Sequence, residues 1–307
     1  MSTTSHSSSA RLAVIGAGGI GGYTAALAHW AGLDVTLCVR TPVDGLTVLL
    51  DGTERHAAVP VATDPAQVGP VDWVLLTTKA QDTPGAAPWL RALCGPDSTV
   101  AVLQNGIGLT ERVAPYVPEG TATLPVICYL SAERTAPGRI VHHLASELHV
   151  PQGPSSDAFA ALLDGTGLNV TPVPDFTTAT WRKLFLNLAA NPLTALLGQR
   201  MDIFREAEMT ALARALLTEA AEVARAEGAD IGDSDISGTL EIYAMAPPGG
   251  GSSMLYDREA GRPLEHEYLS GAVVAAGERH SLPTPLNRML LTLLRAVDRE
   301  LRATDGT

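Results

Sequence analysis

The sequence predicts two domains, an α/β N-terminal half followed by an all-α C-terminal half, and three observations carry that expectation. Five glycines crowd into Gly16–Gly22, between a short apolar run and a helical pattern. Short β-branched runs then alternate with helical stretches as far as Pro174, the order that builds a parallel sheet. Beyond Phe176 the apolar residues recur at helical spacing almost to the end of the chain. A length of 307 residues agrees with two domains, because it exceeds what a single core ordinarily serves.

Residues 1–10 are rich in Ser and Thr and are expected to be disordered. Leu12–Ile15 reads as a strand, Tyr23–Ala31 as a helix closed by Gly32, and Asp34–Val39 as a second parallel strand. With Gly16-Ala17-Gly18-Gly19-Ile20-Gly21 between them, these elements form a βαβ unit of the Rossmann type. The glycines permit a tight turn and a close approach, and the free N–H groups at the helix start suit a pyrophosphate. A dinucleotide is therefore the expected cofactor, held by Gly16, Gly18, Gly19, Ile20 and Gly21. An NAD site needs Asp or Glu at the end of the second strand to accept from the ribose 2′-OH. Leu37-Cys38-Val39-Arg40 offers neither, whereas Arg40 can neutralise a 2′-phosphate and grip it at two points, so NADP(H) is expected over NAD(H).

From Leu12 to Leu33 the only ionisable side chains are Tyr23 and His29, and Ala26-Leu27-Ala28 imitates a signal-peptidase site. The glycines argue against a membrane or export segment, since they weaken a spanning helix. A net charge of −12 excludes a nucleic-acid partner, and hydrophobic content of 46% with 18% charged residues describes a well-packed soluble chain. Cys38, Cys94 and Cys128 are widely spaced and lie in or beside apolar runs, so buried thiols in a cytoplasmic setting are expected instead of disulfides. The eight histidines show no paired-ligand spacing, and His142 and His143 would point to opposite faces of a strand, so no metal site is expected.

Leu46–Leu50 and His56–Val61 read as a hairpin across Asp51-Gly52. Trp73–Thr77 and Thr99–Leu103 are further strands, and each ends in polar residues. Lys79 follows the first and Asn105 the second, at the edge where open α/β sheets hold ligands. Lys79 is suited to cofactor phosphate or ribose, and Asn105 can donate to and accept from nicotinamide or substrate. Strands at Ala122–Leu130, Arg139–Leu144, Glu147–Val150 and Leu168–Val173, with a helix at Asp157–Leu163, complete a first domain of residues 11–174.

The second domain, residues 175–303, opens with Trp181–Leu197, read as one helix kinked at Pro192. Along it Lys183, Asn187 and Asn191 fall at i, i+4 and i+8, a polar stripe one residue wide on an otherwise apolar segment. Such a stripe is either a solvated face or the lining of a site, because an unpaired buried polar group costs about 1–3 kcal/mol. Helices follow at Phe204–Glu227, Met254–Glu259, Glu265–Glu278 and Leu286–Leu301. Ser252 and Ser253 are candidate caps of the second of these, a natural seat for a substrate carboxylate. The apolar final helices are suited to a homodimer.

Taken together, the glycine turn, Arg40, Lys79 with Gln81, Asn105-Gly106, the K-x-x-x-N-x-x-x-N-P-L-T-A run at Lys183–Ala195, and Ser252-Ser253-Met254-Leu255 followed by Glu265 resemble the ketopantoate reductase (2-dehydropantoate 2-reductase) family. The resemblance covers residues 11–302. It implies NADPH-dependent reduction of a small-molecule carbonyl, 2-dehydropantoate to (R)-pantoate, with Lys183 as general acid and Glu265 as the carboxylate that holds the developing hydroxyl. It further implies Asn187, Asn191 and Ser253 as substrate contacts, Asn105 as a bridge between nicotinamide and substrate, and Arg40 with Lys79 as the clamp on the 2′-phosphate and ribose. One stretch departs from the pattern. Where ketopantoate reductases often carry a further Asn-Gly, this chain has Gly198-Gln199-Arg200-Met201-Asp202, which leaves open a different ketone, 2-oxo acid or imine. A non-catalytic NADP(H)-binding sensor is the alternative of another class.

Overall fold

The computed structural model describes residues 10–304; the expectation of disorder at the N-terminus falls on residues 1–9, outside the described part, and on Ala10. The described chain divides into two compact units, one of residues 10–104 and 108–174, the other of residues 175–304 together with Asn105–Ile107.

The first unit holds β1 (Arg11–Ile15), α1 (Gly19–Trp30), β2 (Asp34–Cys38), β3 (Leu46–Leu50), β4 (Thr53–Ala57), β5 (Val61–Ala62), β6 (Val71–Leu76), α2 (Thr83–Leu93), β7 (Cys94–Val102), α3 (Leu109–Val113), β8 (Ala122–Pro125), β9 (Ile127–Ala136), β10 (Arg139–Pro151), α4 (Pro154–Leu163) and β11 (Asn169–Val173). One sheet runs β5-β2-β1-β6-β7-β8, every pair parallel. Its register aligns Ile15 with Cys38 and Leu76, and Leu76 with Val102, so four strands end at one edge. A second sheet runs β11-β10-β3-β4, with β9 antiparallel to β10.

Helix α1 packs on β1 and β2 of the first sheet and on β3, β9 and β10 of the second. Gly21 through Leu27 and Ala28 are consequently all buried. A helix apolar on every side is a helix buried on every side, which is why Leu12–Leu33 resembles a membrane segment by hydropathy alone. Among the described residues no helix is long and apolar enough to cross a membrane. On the other face of the first sheet α2 sets Trp89 and Leu90 against Val74, Leu76 and Val100.

Several boundaries differ from those the sequence suggests. Asp51 and Gly52 both have positive φ, 49° and 77°, the two-residue turn that pairs Leu50 with Thr53. The hairpin's second strand therefore starts at Thr53, while Val61 joins β2 in the other sheet. The run Ala122–Leu130 is two strands, because the chain leaves β7 after Pro125 and joins β10 from Ile127. Conversely Arg139–Leu144 and Glu147–Val150 are one strand, irregular where Ala145 takes φ 58°.

The second unit is helical: α5 (Phe176–Leu188), α6 (Ala190–Leu197), α7 (Ala207–Ala226), α8 (Asp233–Ala244), α9 (Ser253–Glu259), α10 (Ser270–Arg279) and α11 (Pro285–Thr304). The expected kink at Pro192 is a full break at Ala189, because Pro192 has no N–H to return to Leu188. Tyr243 fills the gap: its hydroxyl donates to the Phe185 carbonyl at 2.6 Å and lies 3.4 Å from Ala190 N. Burial pushes the phenol above its ordinary pKa and keeps the proton in place. Tyr243 sits on α8, a helix the sequence reading missed because DSDISGTLEIYA mixes β-branched residues with Gly238. The expected helix Glu265–Glu278 is a single turn at His266–Tyr268 followed by α10, with Glu265 ahead of both. Tyr243→Phe is expected to lower unfolding stability by about 1–3 kcal/mol, since it leaves a buried carbonyl without its donor. An unchanged urea midpoint would show that the hydroxyl does not hold the break.

Candidate active site

The parallel register puts the chain positions beyond β1, β2 and β6 on one edge of the first sheet. Gly16 follows β1 with φ 107°, a conformation that only glycine adopts readily, and its N–H donates to the Cys38 carbonyl at 3.0 Å. Thr77 fastens the turn from β6, its buried hydroxyl lying 2.8 Å from the Ile15 carbonyl and 3.1 Å from that of Gly16. A Cβ on Gly21 would overlap that hydroxyl, so the helix can approach the strand only with glycine there.

The remaining glycines divide by cause. A Cβ on Gly19 would overlap the carbonyl oxygen of Ala132 in β9, so Gly19 is required by the second sheet. Around Gly18, by contrast, no protein atom lies within 4 Å of a would-be Cβ. Helix α1 starts at Gly19 with no capping side chain and no acidic residue in its first turn. An open, uncapped helix start facing a strand edge fits a pyrophosphate, which the N–H groups and the helix dipole both favour. The Ile20 carbonyl accepts from Thr24 at 2.8 Å and its side chain joins the core, so only its backbone N–H is suited to a ligand.

Arg40 is exposed two residues past the end of β2. Lys79, half-buried, opens the short turn Ala80–Asp82 after β6. Beneath this edge the Gln104 side chain donates to Thr78 at 3.2 Å and to Thr83 at 3.0 Å, and accepts from Arg112 at 3.2 Å. Neither Thr77 nor Gln104 was singled out from sequence, because nothing in a Thr or a Gln marks it as an anchor. A depression of about 440 Å³ lined by Arg11, Asp34, Thr36 and Gln67 lies at the amino ends of β1 and β2, away from the ligand edge of such sheets.

In the second unit, Asn105 Nδ2 donates to Glu265 Oε2 at 3.2 Å. Glu265 is only 4% exposed. Asn191, on α6, donates to Ser253 Oγ at 3.3 Å, at the first position of α9. Ser252 is the cap of α9: its hydroxyl accepts from Leu255 N and lies 2.7 Å from that of Thr194, which stitches α6 to α9. Lys183 and Asn187 share α5, both partly buried, while Asn191 stands beyond the break, so the stripe is carried by two helices and not one.

Other sequence expectations also have outcomes here. Among the described residues the cysteines form no disulfide, and burial pushes Cys38 up to about 12 and Cys94 up to about 11, which leaves both thiols inert; Cys128 is only partly buried. His142 stacks on Tyr23 at 4.5 Å while His143 pairs with Glu133 at 3.3 Å. Among the described residues no group of three His, Cys, Asp or Glu is placed to hold a metal ion.

A parallel sheet whose first turn is an open glycine cradle, joined to a helical unit bearing a lysine, paired amides and a buried carboxylate, defines a dinucleotide-binding reductase. Residues 12–155 match the family described as "Ketopantoate reductase PanE/ApbA", and residues 175–298 match its C-terminal counterpart. The chain belongs to the ketopantoate reductase family. It is 41% identical over 297 residues to the 2-dehydropantoate 2-reductase of Mycobacterium tuberculosis, covering 96% of this chain and 98% of that one. With the 2-dehydropantoate 2-reductase of Caulobacter vibrioides it shares 41% identity, over 93% of this chain and 98% of the relative. The crystal structure of a PanE/ApbA family ketopantoate reductase from Ralstonia eutropha superposes with a TM-score of 0.87 at 28% identity, covering 95% and 99% of the two chains.

The two neighbouring glycines give a direct test of the cradle. Gly18→Ala is expected to fold with an unchanged Tm and to bind a nicotinamide dinucleotide, NADH or NADPH, at least about tenfold more weakly, the loss of about 1.4 kcal/mol of phosphate contact. Gly19→Ala is expected to lower the Tm, because the β9 backbone must move. Wild-type binding by Gly18→Ala, followed by fluorescence titration, would place the pyrophosphate elsewhere.

Proposed function

We propose that this chain reduces 2-dehydropantoate to (R)-pantoate with NADPH, a step toward pantothenate and coenzyme A. The observation that carries the reading is the hydrogen bond from Asn105 to the buried Glu265, which pairs an amide with a carboxylate 160 positions away within the second unit. The relatives that share 41% identity over nearly their whole length support the choice of substrate.

NADPH, when bound, supplies the hydride that the carbonyl carbon takes up. The carbonyl oxygen then needs charge stabilisation and a proton. Lys183 supplies both: its ammonium offsets the developing oxyanion and donates the proton, and solvent restores it. Glu265 accepts a hydrogen bond from the hydroxyl that forms, and Asn105 orients both carboxylate and substrate. Asn187, Asn191 and Ser253 contact the rest of the substrate. Gly16, Gly18, Gly19, Ile20 and Gly21 hold the pyrophosphate, Gly19 and Ile20 through backbone N–H groups. Arg40 takes the 2′-phosphate and Lys79 the ribose. Homodimerisation belongs to the same reading and is supported by the exposure of Met289 and Leu293 on α11.

A second reading, reduction of another 2-oxo acid, ketone or imine, is favoured by the segment Gly198–Asp202. Gly198 ends α6 in the left-handed region, and Arg200 pairs with Glu259 at 2.8 Å, so the segment that departs from the family pattern serves α6 and α9. A panel of 2-oxo acids and ketones, followed by NADPH absorbance, separates the two readings. A sensor without catalysis would have no use for a buried carboxylate aligned by Asn105.

Lys183→Ala is expected to lower kcat about 100-fold or more while NADPH binding survives, the size of a general-acid effect. Undiminished turnover would remove Lys183 from the mechanism. Arg40→Ala is expected to raise the KM for NADPH far more than that for NADH, because only NADPH carries the 2′-phosphate. Equal changes would mean that Arg40 does not meet that group.

A further inference from the structure

Glu265 lies outside any helix, ahead of the single turn His266–Tyr268, and yet its side chain is buried. A side chain on a turn has no helical ladder to fix its direction, so neighbouring contacts must do so. Here they come from α11, on both sides of Glu265. The Leu264 N–H donates to Asp298 Oδ1 at 2.8 Å. Glu267 receives both arms of the Arg295 guanidinium, at 2.6 and 2.8 Å.

Arg295 and Asp298 stand three residues apart on α11, close enough to share one face. The two anchors differ in strength. Glu267 and Arg295 are each nearly half exposed, and exposed pairs contribute little. Asp298 is 6% exposed, and Arg302 one turn further on holds its second oxygen at 2.6 Å. Its grip on Leu264 is therefore a buried, charge-assisted hydrogen bond one residue from the carboxylate. Between the anchors sits His266, whose burial lowers its pKa against the pull of Asp298 and Glu267. Its Nε2 lies 3.4 Å from Glu267 Oε1.

We propose that Asp298 is a positioning residue for the reductase: by taking the Leu264 amide it fixes the turn that aims Glu265 at Asn105. The inference rests on the reading of Glu265 as the carboxylate that holds substrate.

The test compares Glu265→Gln, Asp298→Ala, Asp298→Asn and Asp298→Glu in the full chain, with NADPH and the substrate that the panel above identifies. Asn keeps an oxygen in place for the Leu264 N–H, Ala removes it, and Glu keeps the charge but displaces the oxygen by one methylene. Asp298→Ala and Asp298→Glu are expected to lower kcat about tenfold or more, as small misplacements do, with the KM for NADPH unchanged. Asp298→Asn is expected to recover most of the rate. Should Asp298→Ala fail to fold, the ordering of Asn above Glu carries the test. An Asn variant as slow as Glu overturns the proposal, as does an Ala or Glu variant that loses Tm but not kcat. If Glu265→Gln is slow while every Asp298 variant turns over normally, only this inference fails; if Glu265→Gln is itself fully active, the reading of Glu265 falls and takes the inference with it.

Discussion

Helix α1 must be covered on all sides, and the first unit is arranged to satisfy that demand. Its apolar surface is too complete for one sheet to bury, and the second sheet supplies the other wall through β3, β9 and β10. The closeness of that wall is set by Gly19, where the β9 backbone occupies the space of a side chain. With both faces packed, the start of α1 is held against the strand edge, and Thr77 locks the turn that precedes it. The open start of α1 is thus a consequence of packing and not of any capping side chain.

The second unit solves a different problem, that of presenting polar groups from an apolar interior. Pro192 breaks the first long helix, and the Tyr243 hydroxyl satisfies a carbonyl that the break exposes. The break also hands Asn191 to a separate helix, where it meets Ser253 and where Thr194 and Ser252 bind α6 to α9. Glu265 stands ahead of a single turn, and the residues on either side of it, Leu264 and Glu267, are bonded to α11. Asn191, Ser253 and Glu265 sit where regular structure starts or stops, each bonded to a partner distant in sequence.

These arrangements explain which features were legible beforehand. Gly16 and Gly21 are recognisable because a tight turn and a close approach each demand the absence of a side chain, and the spacing of those demands is local. Lys183, Asn187 and Asn191 stand out because polar residues on an apolar helical stretch are conspicuous. Helix α8 was not legible, since Ser, Asp, Thr, Ile and Gly238 in it have weak helical preference, while Ile236, Leu240 and Tyr243 pack into the core. Nor was the second role of the glycine cluster, because Gly19 answers to a strand more than a hundred residues away.

The amino-acid sequence by itself determined the class of the fold, the glycine turn, the arginine beyond the second strand and the chemical identity of the lysine, amides and carboxylate. Each of these is written in short-range spacing or in a residue type that has few alternative uses. Tertiary structure alone decided that the polar stripe is divided between two helices, that Glu265 leaves its expected helix, and that Asp298 holds the turn which carries it. Those outcomes depend on hydrogen bonds between residues tens of positions apart, and no local pattern encodes which distant partner a buried amide will find.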